Sequence, residues 1–318
     1  ISCSLVGSEM CIRDSIYTEF KSYAEKKPGE MEEIMKDLLA YAKRYNKLLV
    51  GHQNFPTKLK ASIFRLNRFE SSVTRPFLME VLRLEEEGSL TVDEVTEICR
   101  IVESYLLRRI ICDLPSNTLA KVFLTLNSDI KRFDGTYNMF IEKMKYVLTS
   151  KKEKAAFPGD EAFSEGLRTK NIYAMPPRYK AYLFERLENG DSSEYKEIYG
   201  RLDSNEYTIE HIMPQKLTPA WISELKEDAE EIHTEWLHRL ANLTLTAYNS
   251  KYSNSPFQEK KTMEDGYIQS GIKMNQRIAQ NDHWGLKELE DRSSYLIQQA
   301  IALWPYAVSY THLRAHET

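Results

Sequence analysis

Cysteine is scarce in this chain of 318 residues: four in all, Cys3, Cys11, Cys99 and Cys112, with no Cys-x-x-Cys pair among them. That excludes a disulfide-stapled scaffold and a knuckle-type structural zinc site, so any catalytic centre must be held by packing. Long apolar runs are also missing. No stretch approaches eighteen uncharged apolar residues, and no basic-apolar-small leader is visible, so a cytoplasmic protein without a membrane partner is the expectation. An excess of basic charge is absent too: 43 Lys and Arg against 47 Asp and Glu, a net charge of -4. Nucleic-acid binding must therefore rest on a local patch rather than on the field of the whole protein. There is no internal repeat and no low-complexity tract.

Both ends, 1–15 and 307–318, resemble translated sequencing-adapter sequence, and the natural N-terminus is expected to lie outside the chain. Setting them aside removes Cys3, Cys11, His312 and His316 from consideration. Between them, apolar residues recur at spacings of three and four over 16–49, 58–69, 75–86, 91–111, 119–126, 139–147 and 177–187, which predicts helices. Ser72-Val73-Thr74-Arg75-Pro76 and Thr91-Val92-Asp93-Glu94 are start signals, with Thr74 and Thr91 as caps. Arg108 and Arg109 close one helix and suit either carbonyl capping or a phosphate. His52 reads as a loop histidine. Polar Glu188-Asn189-Gly190-Asp191-Ser192-Ser193 is the expected boundary between a helical scaffold, 16–190, and a second unit, 191–306. Two further helices, 263–279 and 286–304, brace that unit.

The chemistry is concentrated in 207–261. Tyr207-Thr208-Ile209-Glu210-His211-Ile212 suits a short strand ended by Met213-Pro214, and Leu240 to Thr246 suits a second that contains Asn242. A helix over 248–261 completes a strand-strand-helix unit. Adjacent strand residues face opposite ways, so Glu210 and His211 reach one site only if the strand twists or bulges. His211 has the right chemistry for a general base with a pKa near neutrality. Glu210 with an amide oxygen of Asn249 or Asn254 suits a hard divalent cation, and Asn242 or a backbone carbonyl suits the task of fixing the histidine tautomer. The insertion 219–236 holds six acids against Lys226 and reads as a solvated excursion. From 238 to 261 the sign reverses, with Arg239, Lys251, Lys260 and Lys261 against Glu259 as candidate phosphate contacts.

Three ordered blocks carry a resemblance: Glu210-His211-Ile212-Met213-Pro214-Gln215, then His238-Arg239-Leu240-Ala241-Asn242-Leu243-Thr244-Leu245, then Asn249 through Lys261. They resemble the HNH or His-Me finger nucleases and, more closely, the C-terminal DUF1524 part of DUF262/DUF1524 proteins of the GmrSD restriction type. Tyr105 to Cys112, Leu114 to Asn117 and Phe157 to Phe163 resemble the region between the two named domains. The implied fold is mainly α, a helical scaffold with a small embedded ββα-metal module. The implied activity is Mg²⁺- or Mn²⁺-dependent endonucleolytic hydrolysis of DNA, in defence against modified phage or foreign DNA. The implied site has His211 as base, Glu210 and Asn249 as metal ligands with Asn254 competing, and Asn242 as the finger asparagine. The Asp-Gly-Gln-Gln-Arg-like motif of the DUF262 NTPase half is absent from this sequence, so that half is an expected missing partner, and a homo-oligomer is a further expectation. A nuclease fold that binds nucleic acid or protein without cutting, and a purely structural helical protein, are the competing readings.

Overall fold

The computed structural model describes residues 17–18, 20–26, 29–50, 54–69, 71–192 and 194–307. His52, Ser193 and the adapter-like ends, Ala307 excepted, lie outside the described residues. From Met31 on, the described residues form eight scaffold helices: α1 (Met31–Leu49), α2 (Thr57–Arg68), α3 (Arg75–Glu86), α4 (Val92–Ile111), α5 (Leu119–Lys131), α6 (Phe140–Ser150), α7 (Asp160–Thr169) and α8 (Pro177–Asn189).

Helix α4 is the axis. It begins on a capping box in which the Thr91 hydroxyl accepts the Glu94 N–H while the Glu94 carboxylate accepts the Thr91 N–H. The sequence offers one apolar stripe, yet α4 is buried on nearly every side because α2, α3, α6 and α7 surround it. Its polar residues are buried with partners. Glu103 accepts from Arg65 at 2.7 Å and from the Tyr182 hydroxyl at 2.5 Å. Arg108 donates to Trp304 O, Pro158 O and Asp160, and Arg109 to Ala156 O, Pro115 O and Lys154 O. Both arginines are buried cross-links of the fold, with only Nε of Arg109 lacking a partner among the described residues. Thr74, expected as a cap, instead donates its hydroxyl to Ser71 O, while Pro76 does occupy the first turn of α3.

After α9 (Tyr199–Asp203) comes β1 (Thr208–His211), then α10 (Pro219–Leu225) and α11 (Ala229–Trp236), a 3₁₀ turn over Leu240–Asn242, and β2 (Leu243–Thr246). The strands are antiparallel in unbroken register, Thr208 opposite Thr246, Ile209 opposite Leu245, Glu210 opposite Thr244 and His211 opposite Leu243. The insertion is no mere solvated excursion: Trp221, Leu225, Ile232 and Trp236 on α10 and α11 are buried in a second core with Ile212, Tyr252, Phe257, Tyr267 and Trp284.

The helix expected over 248–261 is two short ones, α12 (Asn249–Tyr252) and α13 (Phe257–Thr262). Ser253 takes a positive φ of 41°, and Pro256, which has no N–H to donate, restarts the chain. The helix expected over 263–279 shrinks to α14 (Lys273–Ile278). Before it the chain turns tightly at Gly266, where a Cβ would lie 2.7 Å from Lys260 O and 2.8 Å from Lys261 O and Met263 O. The last helix, α15 (Leu286–Leu303), falls where expected.

The polar stretch at 188–193 does not separate two cores. The Glu188 carboxylate accepts the backbone N–H of Lys273 (2.7 Å) and Met274 (3.1 Å), and Asn189 is buried. Leu243, Leu245, Met274, Leu296 and Trp304 join the same core as α4 and α8.

Candidate active site

The two-stranded sheet divides the chemistry. Ile209, Leu243 and Leu245 pack on the scaffold core, so His211, opposite Leu243, shares their face. Thr208 and Glu210 point the other way, toward α12 and α13. With no bulge in β1, Glu210 and His211 do not converge.

On the α12 and α13 face, Glu210 is 3% exposed and its Oε1 lies 2.5 Å from Nζ of Lys260, which is fully buried. That ammonium also donates to His211 O at 2.9 Å and Ile212 O at 3.1 Å, so its three N–H groups meet three oxygens at the end of β1. Burial raises the Glu210 carboxyl and lowers the Lys260 ammonium, and their attraction offsets only part of that desolvation. Asn249 is anchored on the same face through Nδ2 to the Thr208 hydroxyl at 3.0 Å, which turns its amide nitrogen, not its oxygen, to the strand. Asn254 is exposed, with no hydrogen bond to the described residues. The residues expected to hold a divalent ion therefore do not fit one as arranged. A cation already sits on the Glu210 carboxylate, and a second would have to take its place. Among the described residues there is no group of three His, Cys, Asp or Glu side chains with metal-site geometry.

On the scaffold face His211 is 4% exposed, and its ring lies among residues supplied by three segments. His211 Nε2 is 3.1 Å from Nδ1 of His238. Tyr173, in the loop between α7 and α8, stacks on His238 with 12° between planes and leans on His211 with ring centroids 4.5 Å apart. Lys180 on α8 holds its ammonium over Tyr173, 4.9 Å from the ring centre, and donates to Tyr173 O at 2.7 Å. His233 bonds Pro214 O through Nε2 at 2.9 Å. His211 is pushed down to about 3, first by burial and then by His238, Lys260, His233 and Lys180. The expectation of a pKa near neutrality is thus corrected: surrounding positive charge and dehydration disfavour the imidazolium. At neutral pH the ring is uncharged.

Asn242 is fully buried and fully used. Oδ1 accepts Met213 N–H at 2.8 Å, and Nδ2 donates to Met213 O at 2.9 Å and Leu237 O at 3.0 Å. It ties the segment after His211 to the segment before His238 and does not touch the His211 ring. Its part is support rather than contact with substrate.

Each of the basic residues expected at phosphate has a partner within the chain. Lys260 is interior. Lys251 pairs with Asp265 at 2.6 Å, Lys261 donates to Asn281 O at 2.8 Å, and Arg239 pairs with Glu235 at 3.0 Å beside Trp236. The residues that do surround His211, namely His238, Tyr173 and Lys180, were not singled out by sequence reasoning. His238 stood in plain view, 27 positions from His211 in a histidine-bearing segment. Tyr173 and Lys180 carried no signal, because only the packing of the α7–α8 loop on the sheet brings them there, with Ile172 N donating to His238 O at 3.0 Å.

No curated protein matches the chain. Residues 157–299, a segment that starts ahead of α7 and takes in Tyr173, Lys180 and both strands, match the family described as GmrSD restriction endonucleases, C-terminal domain.

Proposed function

We propose that this region is the cutting module of a restriction-type DNA endonuclease, hydrolysing phosphodiester bonds of modified or foreign DNA. The observation that carries the reading is His211: a deprotonated imidazole held against His238 and Tyr173, with the Lys180 ammonium over that tyrosine ring, in a segment similar to a restriction endonuclease domain. In this reading the lone pair of His211 takes a proton from water, and the oxygen of that water forms the new bond to phosphorus. The bond to the bridging oxygen breaks, and that oxygen leaves with a proton from solvent. Lys180 faces the phosphate. Only one of its three N–H groups is hydrogen-bonded to the described residues, and burial lowers its pKa, as expected for an ammonium short of solvent. A loop capped by Asn242 keeps the base from shifting, which matters because small displacements of a reacting group are costly.

Dependence on Mg²⁺ or Mn²⁺ requires, in this reading, that the ion displace Lys260 from the Glu210 carboxylate. Selection of the modified target falls, in this reading, to the NTP-hydrolysing DUF262 half.

The test is to incubate the whole chain, and His211→Ala, with supercoiled plasmid and Mg²⁺, Mn²⁺ or EDTA, while following DNA binding. Nicking by the unaltered chain that drops by about 10²-fold or more in the variant, with binding retained, supports the reading. Binding without nicking supports instead a nuclease fold that no longer cuts, and EDTA decides the metal question separately.

A further inference from the structure

His238 lies outside both strands, and nothing in the expected site uses it. We propose that His238 is the positioning residue that sets the tautomer of His211: its Nδ1 accepts the Nε2–H of His211 and leaves Nδ1 of His211 as the proton acceptor. This inference rests on the nuclease reading for its kinetic consequence, but not for its geometry.

The contact of 3.1 Å to His238 is the one hydrogen bond of the His211 ring to the described residues. One proton serves that contact, so the two neutral rings have two arrangements. If His211 donates, both rings carry their proton on Nε2, the tautomer a free imidazole side chain prefers. If His238 donates, both are in the less favoured form and Nδ1 of His211 is blocked by a proton. The half-exposed His238 can meet water with its own Nε2–H, so the first arrangement leaves no donor stranded.

His238 is held as a positioning group must be. Its backbone carbonyl accepts Ile172 N–H at 3.0 Å and Tyr173 N–H at 3.4 Å, and its ring is stacked on Tyr173. Tyr173 touches both imidazoles and so fixes the angle between them, 70° between ring planes. Asn242 bonds Leu237 O on one side and both backbone groups of Met213 on the other, which locks the distance between the two histidine-bearing segments. When His211 takes the proton of water at Nδ1, its Nε2–H already points at the His238 lone pair, so the ring need not turn. This is the arrangement in which a second group orients a base.

The experiment uses the whole chain labelled with ¹⁵N-histidine, unaltered and as His238→Ala and His238→Asn. The amide oxygen of the Asn variant reaches the place of the lost Nδ1. Two-bond ¹H–¹⁵N spectra read the His211 tautomer, and single-turnover plasmid cleavage reads the consequence. The expected result is Nε2–H at His211 in the unaltered chain and in His238→Asn, with a mixture of tautomers in His238→Ala. Cleavage by the Ala variant falls about 10- to 100-fold at unchanged DNA affinity, and the Asn variant recovers most of it. A proton on Nδ1 of His211 in the unaltered chain overturns the proposal, as does an Ala variant that cuts at the original rate or a folded Asn variant no better than Ala. If no form cuts DNA, the nuclease reading fails by itself, and the tautomer spectra still decide the role of His238.

Discussion

Glu210 and Lys260 neutralise each other in a place where neither gains by being an ion. The carboxyl is raised and the ammonium lowered despite a 2.5 Å contact, because desolvation outweighs attraction. Removing one partner is therefore worse than removing both. Lys260→Met is expected to cost about 3–5 kcal/mol, and the double variant Glu210→Gln/Lys260→Met to recover a large part of it, measured by urea unfolding. Equal losses in the single and double variants would mean that the pair is not coupled. His211 gives the second residue-scale prediction. Above its unfolded value of 6.5 both states hold the neutral ring, and stability is indifferent to this group. As pH falls below 6.5 the unfolded chain takes up a proton that the folded chain refuses, so stability is lost until pH nears about 3. His211→Gln should therefore lose less stability than the unaltered chain between pH 7 and pH 4, and parallel curves would contradict the lowered pKa.

Among elements, most helices of the scaffold were legible from their period, and two also from a start signal: α3 spans Arg75–Glu86 as the sequence implies, and α4 carries the capping box that Thr91 and Glu94 announce. Behind the site, legibility fell where local geometry overrides periodicity. Pro256 was a visible breaker between α12 and α13, yet the positive φ at Ser253 has no residue-type signal. The short α14 results from the turn at Gly266, whose tightness depends on three carbonyls from α13 and the residue after it. Gly266→Ala is expected to destabilise by about 1–3 kcal/mol, since backbone must move to admit the methyl group. A melting temperature unchanged within a degree would show that the turn relaxes freely. The pair of strands was also legible, but the faces were not: β1 alternates without a bulge, so Glu210 and His211, adjacent in sequence, serve different sides.

At the scale of the molecule, the polarity at 188–193 is spent on cross-links, with Glu188 capping the start of α14 and Asn189 bonding both N–H and O of Lys196. Residues on both sides of that stretch share one core. A fragment covering 191–318 is accordingly expected to lack cooperative unfolding, since Leu243, Leu245, Leu296 and Trp304 would lose the surface they bury against; circular dichroism during heating reads this directly. A sharp transition in that fragment would support the sequence-derived boundary. In contrast, α1 exposes Met31, Met35, Leu38 and Leu39, although their spacing is that of a helix with an apolar stripe.

The proposed reaction lies on the scaffold side of the sheet, where α8 brings Lys180 over Tyr173, the ring that leans on His211, rather than on the side of Glu210 and the basic residues of 238–261. The most direct measurement is single-turnover cleavage of supercoiled plasmid by the unaltered chain, Lys180→Ala and Lys251→Ala at equal protein and DNA concentrations. A loss of about tenfold or more is expected for Lys180→Ala, the size that follows when a charge contact to phosphate is removed, and little change for Lys251→Ala. Cleavage lost in Lys251→Ala and kept in Lys180→Ala would put the substrate on the opposite face and contradict that placement.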